Sequence, residues 1–241
     1  MNKITAHLFN LLFLLIGNQV VFAQQTKALE VLSNVEAYYK TKEVIDLEVE
    51  YKMYRGYTGD NLTESYTGFL YKNGEVLQMK ILGSEIVQFP QAQITIDQEN
   101  KTLYYNKVTD DKPQNSPLDM SAFLTFYKEG STRITGNNII IELIKKNAKI
   151  PISYNKIILT VNKESYALEK QELYLATKVP FVDNEGNDME DVGRIKVTFK
   201  TNPTPANKKL KLEDYVVLER NNKVLLAKPY KEYSIIDQTK L

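Results

Sequence analysis

The stretch from Glu64 to Ile81, ESYTGFLYKNGEVLQMKI, constrains this chain more than any other. Two runs rich in β-forming residues flank Asn73-Gly74, and both of those residues tolerate the positive φ angles of a type I′ turn, so the stretch predicts a hairpin. With Asn73 and Gly74 as the turn, Lys72 faces Glu75, Leu70 faces Leu77, Gly68 faces Met79 and Tyr66 faces Ile81. That face is apolar. The other carries Phe69 opposite Gln78 and Thr67 opposite Lys80, as in an antiparallel sheet that covers a core or a cavity on one side.

Upstream, Ile45, Leu47, Val49, Tyr51 and Met53 alternate with Asp46, Glu48, Glu50 and Lys52, which predicts a half-buried strand over Ile45–Tyr57 with one wet face. Before it, Lys27 to Lys40 places Leu29, Leu32, Val35 and Tyr39 on one helical stripe, widened by Ala28, Val31 and Tyr38. After Gly83, short runs at Glu85–Phe89, Gln93–Asp97 and Thr102–Lys107 predict a meander, followed by an exposed loop over Thr109–Pro117. A second helix is expected over Leu118–Lys128. Asp119 is its candidate cap, Ala122, Phe123, Phe126 and Tyr127 its apolar side, and Gly130 its stop. Further strands are expected at Asn138–Ile144, Tyr154–Val161, Tyr166–Ala176, Gly193–Lys200, Tyr215–Arg220 and Lys223–Ala227, the last two joined at Asn221-Asn222. No repeat and no Pro/Gly/Ser-rich linker interrupts the series, so residues 24–241 read as one continuous domain.

The chain opens with one positive charge at Lys3, an apolar segment from Leu8, and Val21-Phe22-Ala23 before Gln24-Gln25. This is the pattern of a secretory signal, residues 1–23, cleaved after Ala23, so a periplasmic or secreted protein is expected. No cysteine follows the apolar segment to carry an acyl anchor. Without Lys3 and His7 the mature chain has equal numbers of basic and acidic residues and no histidine. A chain lacking Cys and His has no thiol nucleophile, no Ser-His-Asp triad and no ordinary zinc site, and a neutral one lacks the basic excess of a nucleic-acid binder.

The order ALEVLSNVEAYYK, IDLEVEYKMYR, YTGFLYKNGEVLQMKI, GSEIVQF and NKTLYYN resembles the LolA-like family of periplasmic lipoprotein carriers, most closely in the first half of the chain. The resemblance implies a mainly β (α+β) fold, a half-open antiparallel β-barrel or curved sheet with an N-terminal and a mid-chain helix over the concave face. It also implies a non-enzymatic carrier whose apolar concave surface holds acyl chains. The family places an arginine on an early strand near the cavity, and Arg55 is the residue here that takes that place. The chain exceeds a typical carrier in length, with the excess after about Thr177.

The residues that would line such a hollow are Leu47, Val49, Tyr51, Met53, Tyr66, Leu70, Leu77, Met79 and Ile81, with Phe123 and Phe126 as a lid. Alternation alone is equally consistent with a closed, dry core. Gly68 opposite Met79 would leave space on that face, and Met side chains adapt to variable apolar ligands. The acidic run Asp183–Asp191 lacks the spacing of a calcium loop and reads as a solvated connection; no cofactor is expected. Glu48 and Glu50 lie among lysines on a wet face, unlike catalytic carboxylates, which need a cleft. The expected partner is therefore a lipid or a lipoprotein acyl chain, with peripheral contact at a membrane. The alternative is an envelope protein bound by a molecule whose core is filled.

Overall fold

The computed structural model describes residues 27–81, 83–108, 120, 123–182, 185–206, 208–219 and 223–240. The signal expected at 1–23, the loop 109–117 and the Asn221-Asn222 turn lie outside the described residues. The described chain forms two compact units. One falls within Met1–Tyr38, Arg55–Gly59 and Leu118–Ile195; the other falls within Tyr39–Tyr54, Asp60–Pro117 and Lys196–Leu241. The fold is of the expected class: mainly β and antiparallel, with helices at 27–41 (α1) and Phe123–Phe126 (α2), and with open sheet order in each unit.

In the second unit the strands lie in the order β16-β6-β5-β4-β3-β2-β1-β13. Here β1 is Val44–Arg55, β2 Leu62–Asn73, β3 Val76–Ile81, β4 Ser84–Gln88, β5 Ala92–Asp97, β6 Thr102–Lys107, β13 Gly193–Thr201 and β16 Ser234–Asp237. The hairpin turn falls one residue later than expected. Asn73 pairs with Val76, which leaves Gly74 and Glu75 as the turn. Only Gly74 has a positive φ (59°), the pattern of a type II′ turn. Two bonds hold Asn73 in the ladder's last position: its Nδ2 donates to the Lys208 carbonyl at 3.0 Å, and the following Gly74 amide donates to the Glu43 carbonyl at 2.9 Å. The shift moves each partner by two residues, so Leu70 faces Met79 and Lys72 faces Leu77. A two-residue change preserves parity, and every side chain keeps its expected face.

Direct partners in an antiparallel pair share a face, so the ladders trace rows across the whole unit. One row on the front face runs Leu47, Leu70, Met79, Ile86, Thr95, Tyr104. The corresponding back row runs Asp46, Tyr71, Gln78, Val87, Ile94, Tyr105. The sheet thus reverses its polarity at β3/β4. Its front is apolar on β1–β3, and its back is apolar on β4–β6.

The C-terminal segment covers the apolar back. From β13 the chain is pinned to Asp46: the Ala206 amide donates to its Oδ2 at 2.9 Å and the Asn202 Nδ2 to its Oδ1 at 3.0 Å. The Tyr71 hydroxyl then accepts from the Lys208 amide at 2.8 Å and donates to the Lys208 carbonyl at 2.9 Å. Beyond that clamp, Leu212, Tyr215, Val216 and Val224 join Val87, Ile94, Ile96 and Leu103 in one buried cluster. A two-stranded ladder of β14 (Val216–Leu218) and β15 (Val224–Leu226) carries part of the cover. The chain then returns as β16, parallel to β6, which was not expected from the sequence. The rings of Tyr215 and Tyr230 stack at 5.7 Å, and Tyr233 meets Tyr230 edge-on at 5.3 Å.

In the first unit the order is β10-β9-β8-β7, with β7 Tyr127–Thr135, β8 Asn138–Lys145, β9 Tyr154–Asn162 and β10 Leu168–Leu175. Ile139, Ile141 and Leu143 pair with Val161, Leu159 and Ile157, and all six are buried. A separate hairpin is made by β11 (Val179–Val182) and β12 (Asp188–Asp191), so the end of the acidic run expected to be a solvated connection is a strand.

The helix expected over Leu118–Lys128 is shorter than that. Among its described residues only Phe123–Phe126 are helical, and Tyr127 already pairs with Lys145 in β7. Long-range pairing overrides helical periodicity here, and Gly130 marks a register shift in β7 where a helix stop was expected. Lys146 reaches back to the end of α2, its Nζ donating to the Leu124 carbonyl at 2.6 Å.

Helix α1 buries Ala28, Val31, Leu32 and Val35, while Leu29, expected on the stripe, is 46% exposed. The Ala28 amide of α1 donates to the Glu129 Oε2 at 3.1 Å, and Thr132 holds the other carboxylate oxygen at 2.5 Å. A charged acceptor makes a stronger bond to a backbone amide than a neutral one.

Two outcomes follow from these contacts. Glu129→Ala is expected to lower stability by about 1 kcal/mol, read as a shift in the urea midpoint at unchanged slope. Burial, then the charge of Glu85, pushes the Tyr230 hydroxyl up to about 12 and raises that of Tyr215 further. A group whose folded-state value is raised contributes stability that is intact below its unfolded value. That contribution is lost as pH rises through the folded value. Unfolding free energy should therefore hold steady to about pH 10, the ordinary tyrosine value, and fall from there through pH 12. Tyr230→Phe should flatten that decline, as measured by urea unfolding at stepped alkaline pH.

Candidate functional site

The front face of β1–β3 gathers nine of the eleven expected residues in one unit. Leu47 faces Leu70, Tyr51 faces Tyr66, and Leu70 in turn faces Met79. Met53 faces Glu64 at the far end of the pair, just before a register shift. Phe123 and Phe126 belong to the other unit. There Phe123 is half-buried and meets the Tyr127 ring edge-on at 6.3 Å, while Phe126 is 44% exposed.

Burial divides the nine. Leu47, Val49, Leu70 and Leu77 are buried, none more than 8% exposed. Tyr51, Met53, Met79 and Ile81 are half-buried, and Tyr66 is 43% exposed. The strands thus carry a closed apolar floor at one end and an accessible apolar ledge at the other. Both Met residues of the set lie on the ledge, where an unbranched thioether adapts to a changing neighbour.

Gly68 does not provide the space expected of it. A Cβ built there would lie 2.1 Å from the Lys80 carbonyl oxygen and 3.2 Å from its carbonyl carbon. The missing side chain therefore admits the β3 backbone and leaves no hollow for a ligand.

Arg55 ends β1, and its Nη1 lies 3.0 Å from the Met189 Sδ of β12 in the first unit. Nearby, the Tyr57 ring meets Tyr174 edge-on at 5.5 Å, and its hydroxyl donates to the Leu175 carbonyl. The Arg194 guanidinium holds the same loop through the Gly59 carbonyl at 2.8 Å. Burial works against ionisation of Glu172, but Lys170 at 2.8 Å and the Tyr174 hydroxyl at 3.2 Å hold its carboxyl below the usual range. Lys170, Glu172 and Tyr174 thus form a polar network on one face of β10. Of the acidic run, Asp183 and Asn184 lie outside the described residues. Among the described residues, no three His, Cys, Asp or Glu side chains come together to hold a metal ion.

The front face continues past β3 into residues absent from the expected set. Met79 leads to Ile86, Thr95 and Tyr104, and Leu77 leads to Gln88 and Gln93. The signal for them is the alternation in QITID and TLYYN, whose apolar members Ile94, Ile96, Leu103 and Tyr105 point to the back.

No protein-family model and no curated protein matches the chain. Solved structures similar to it include an uncharacterized conserved protein from Thermus thermophilus, at 12% identity over 88% of this chain and 99% of that one, with a TM-score of 0.43. A LolA superfamily protein from Nitrosomonas europaea is similar at 10% identity over 79% and 96%, TM-score 0.30. A putative outer membrane lipoprotein-sorting protein domain from Vibrio parahaemolyticus is similar at 12% identity over 77% and 94%, TM-score 0.33. A LolA superfamily protein and a lipoprotein-sorting domain thus stand among the solved structures similar to this chain.

Gly68→Ala tests the close approach of β2 and β3. The clash is with backbone, so it is expected to cost about 1–3 kcal/mol, and the urea midpoint should fall accordingly.

Proposed function

We propose that the protein is an exported, non-enzymatic carrier that holds an acyl chain on the front face of β1–β3. The observation that supports this reading is the ledge itself: Tyr51, Met53, Tyr66, Met79 and Ile81, large apolar side chains left partly accessible beside a buried floor. An acyl chain laid on it leaves water at a gain of about 0.8 kcal/mol per buried CH₂, enough to retain a lipid and still yield it to a better acceptor. The leader-like residues 1–23 and the LolA-like order of segments support an envelope location and a cargo of lipid or lipoprotein acyl chains. The lack of Cys, and of His after residue 7, leaves the chain without the common nucleophile and base pairs, which is consistent with carriage. In this reading residues 24–241 act as one carrier domain.

The test is uptake of a fluorescent fatty acid by the purified protein, together with native mass spectrometry of the protein taken from its own cells. Saturable uptake and a co-purifying lipid are expected. The double variant Met79→Asn/Ile81→Asn should weaken uptake about tenfold, equivalent to ~1.4 kcal/mol, while the urea midpoint stays close to that of the parent. A folded protein with no uptake and no lipid, which instead captures a specific envelope protein, would establish the filled-core interaction role.

A further inference from the structure

Resting on the carrier reading, we infer that the cargo's head is an uncharged hydrogen-bonding group, of the glycerol or sugar type, seated on Gln88, Gln93, Thr95 and Tyr104. These four side chains continue the front face directly from Met79 and Leu77 across β4–β6. Adjacent strands lie roughly 4.8 Å apart, so the row begins within about two strand spacings of the ledge. A single amphiphile can therefore touch both.

Two observations argue for a neutral head. The first is hydrogen bonding. All four side chains are half-buried, and among the described residues none of them hydrogen-bonds another protein group. Two amides and two hydroxyls together offer both donors and acceptors, which suits a polyol and does not favour a purely accepting phosphate.

The second is charge. Strands β3–β6 carry four charged residues, and the ladders place Lys80, Glu85 and Lys107 on the back face. The remaining one, Asp97, lies at the front beyond the row. Its carboxylate accepts from the Asn100 amide at 2.9 Å and from Asn100 Nδ2 at 2.7 Å, and these bonds hold it below the usual range. Among the described residues of β3–β6, a phosphate set here would share its face with no cation and one anion. The register thus selects against an anionic head and leaves donors and acceptors for a neutral one.

The experiment displaces the bound fluorescent fatty acid with two competitors sharing one oleoyl chain: monoolein, with its glycerol head, and oleoyl lysophosphatidylglycerol, with a phosphate. Monoolein is expected to displace at about tenfold lower concentration. The double variant Thr95→Val/Tyr104→Phe removes two hydroxyls at nearly constant shape. It should weaken monoolein about fivefold, with uptake of the fatty acid unchanged. Gln93→Lys should improve lysophosphatidylglycerol relative to monoolein. Equal potency of the two competitors, or indifference of monoolein to the hydroxyl variant, would overturn the headgroup assignment and leave acyl carriage standing. Absence of fatty-acid uptake by the folded parent would overturn carriage itself, and the assignment with it.

Discussion

The reversal of polarity between β3 and β4 is the constraint on which the second unit depends. A sheet that is apolar on one face throughout can be covered by one layer. Here Leu47, Leu70 and Leu77 are buried at the front while Val87, Ile94, Ile96 and Leu103 are buried at the back. Each half must find its own cover. Strand β3, at the crossing, has buried residues on both faces, Leu77 in front and Gln78 behind. The cost is visible at Gln78. Its Nε2 donates to Glu85 at 2.7 Å, while its buried Oε1 has no partner among the described residues.

The C-terminal segment answers the demand of the back face. It begins at a phenol that does two tasks: Tyr71 buries its ring and uses its hydroxyl as both donor and acceptor to Lys208. It continues as an apolar layer over β4–β6 and ends by pairing with β6. This leaves the front of β4–β6, with Gln88, Gln93, Thr95 and Tyr104, free of the need to form a core.

Much of this was legible in the sequence because it is local. Alternation over Ile45–Met53 and the Asn73-Gly74 signal locate β1–β3, and parity assigns their faces even though the turn itself falls one residue on. The 3.6 period locates α1, although Leu29 shows that a stripe's edge is fixed only by what covers it. What was not legible depends on distant partners. Tyr127 joins β7 because β8 is there to pair with it, and residues 234–237 become a strand because β6 offers an edge. The split of the nine site residues into floor and ledge was equally hidden, since alternation sets a side chain's direction and not its exposure. Gly68 could be read as a gap or as an approach, and only the Lys80 carbonyl decides it.

The parallel pairing of β16 with β6 also sets an order of events. The chain leaves the ribosome, and crosses any membrane on its way, N-terminus first. Residues 84–107 therefore emerge about a hundred residues before the segment that buries their apolar side. Throughout that interval the back of β4–β6 and the open edge of β6 are an adhesive surface for any other unfinished chain. Strand β16 thus closes that surface, and a chain interrupted before Ser234 lacks the element that does so.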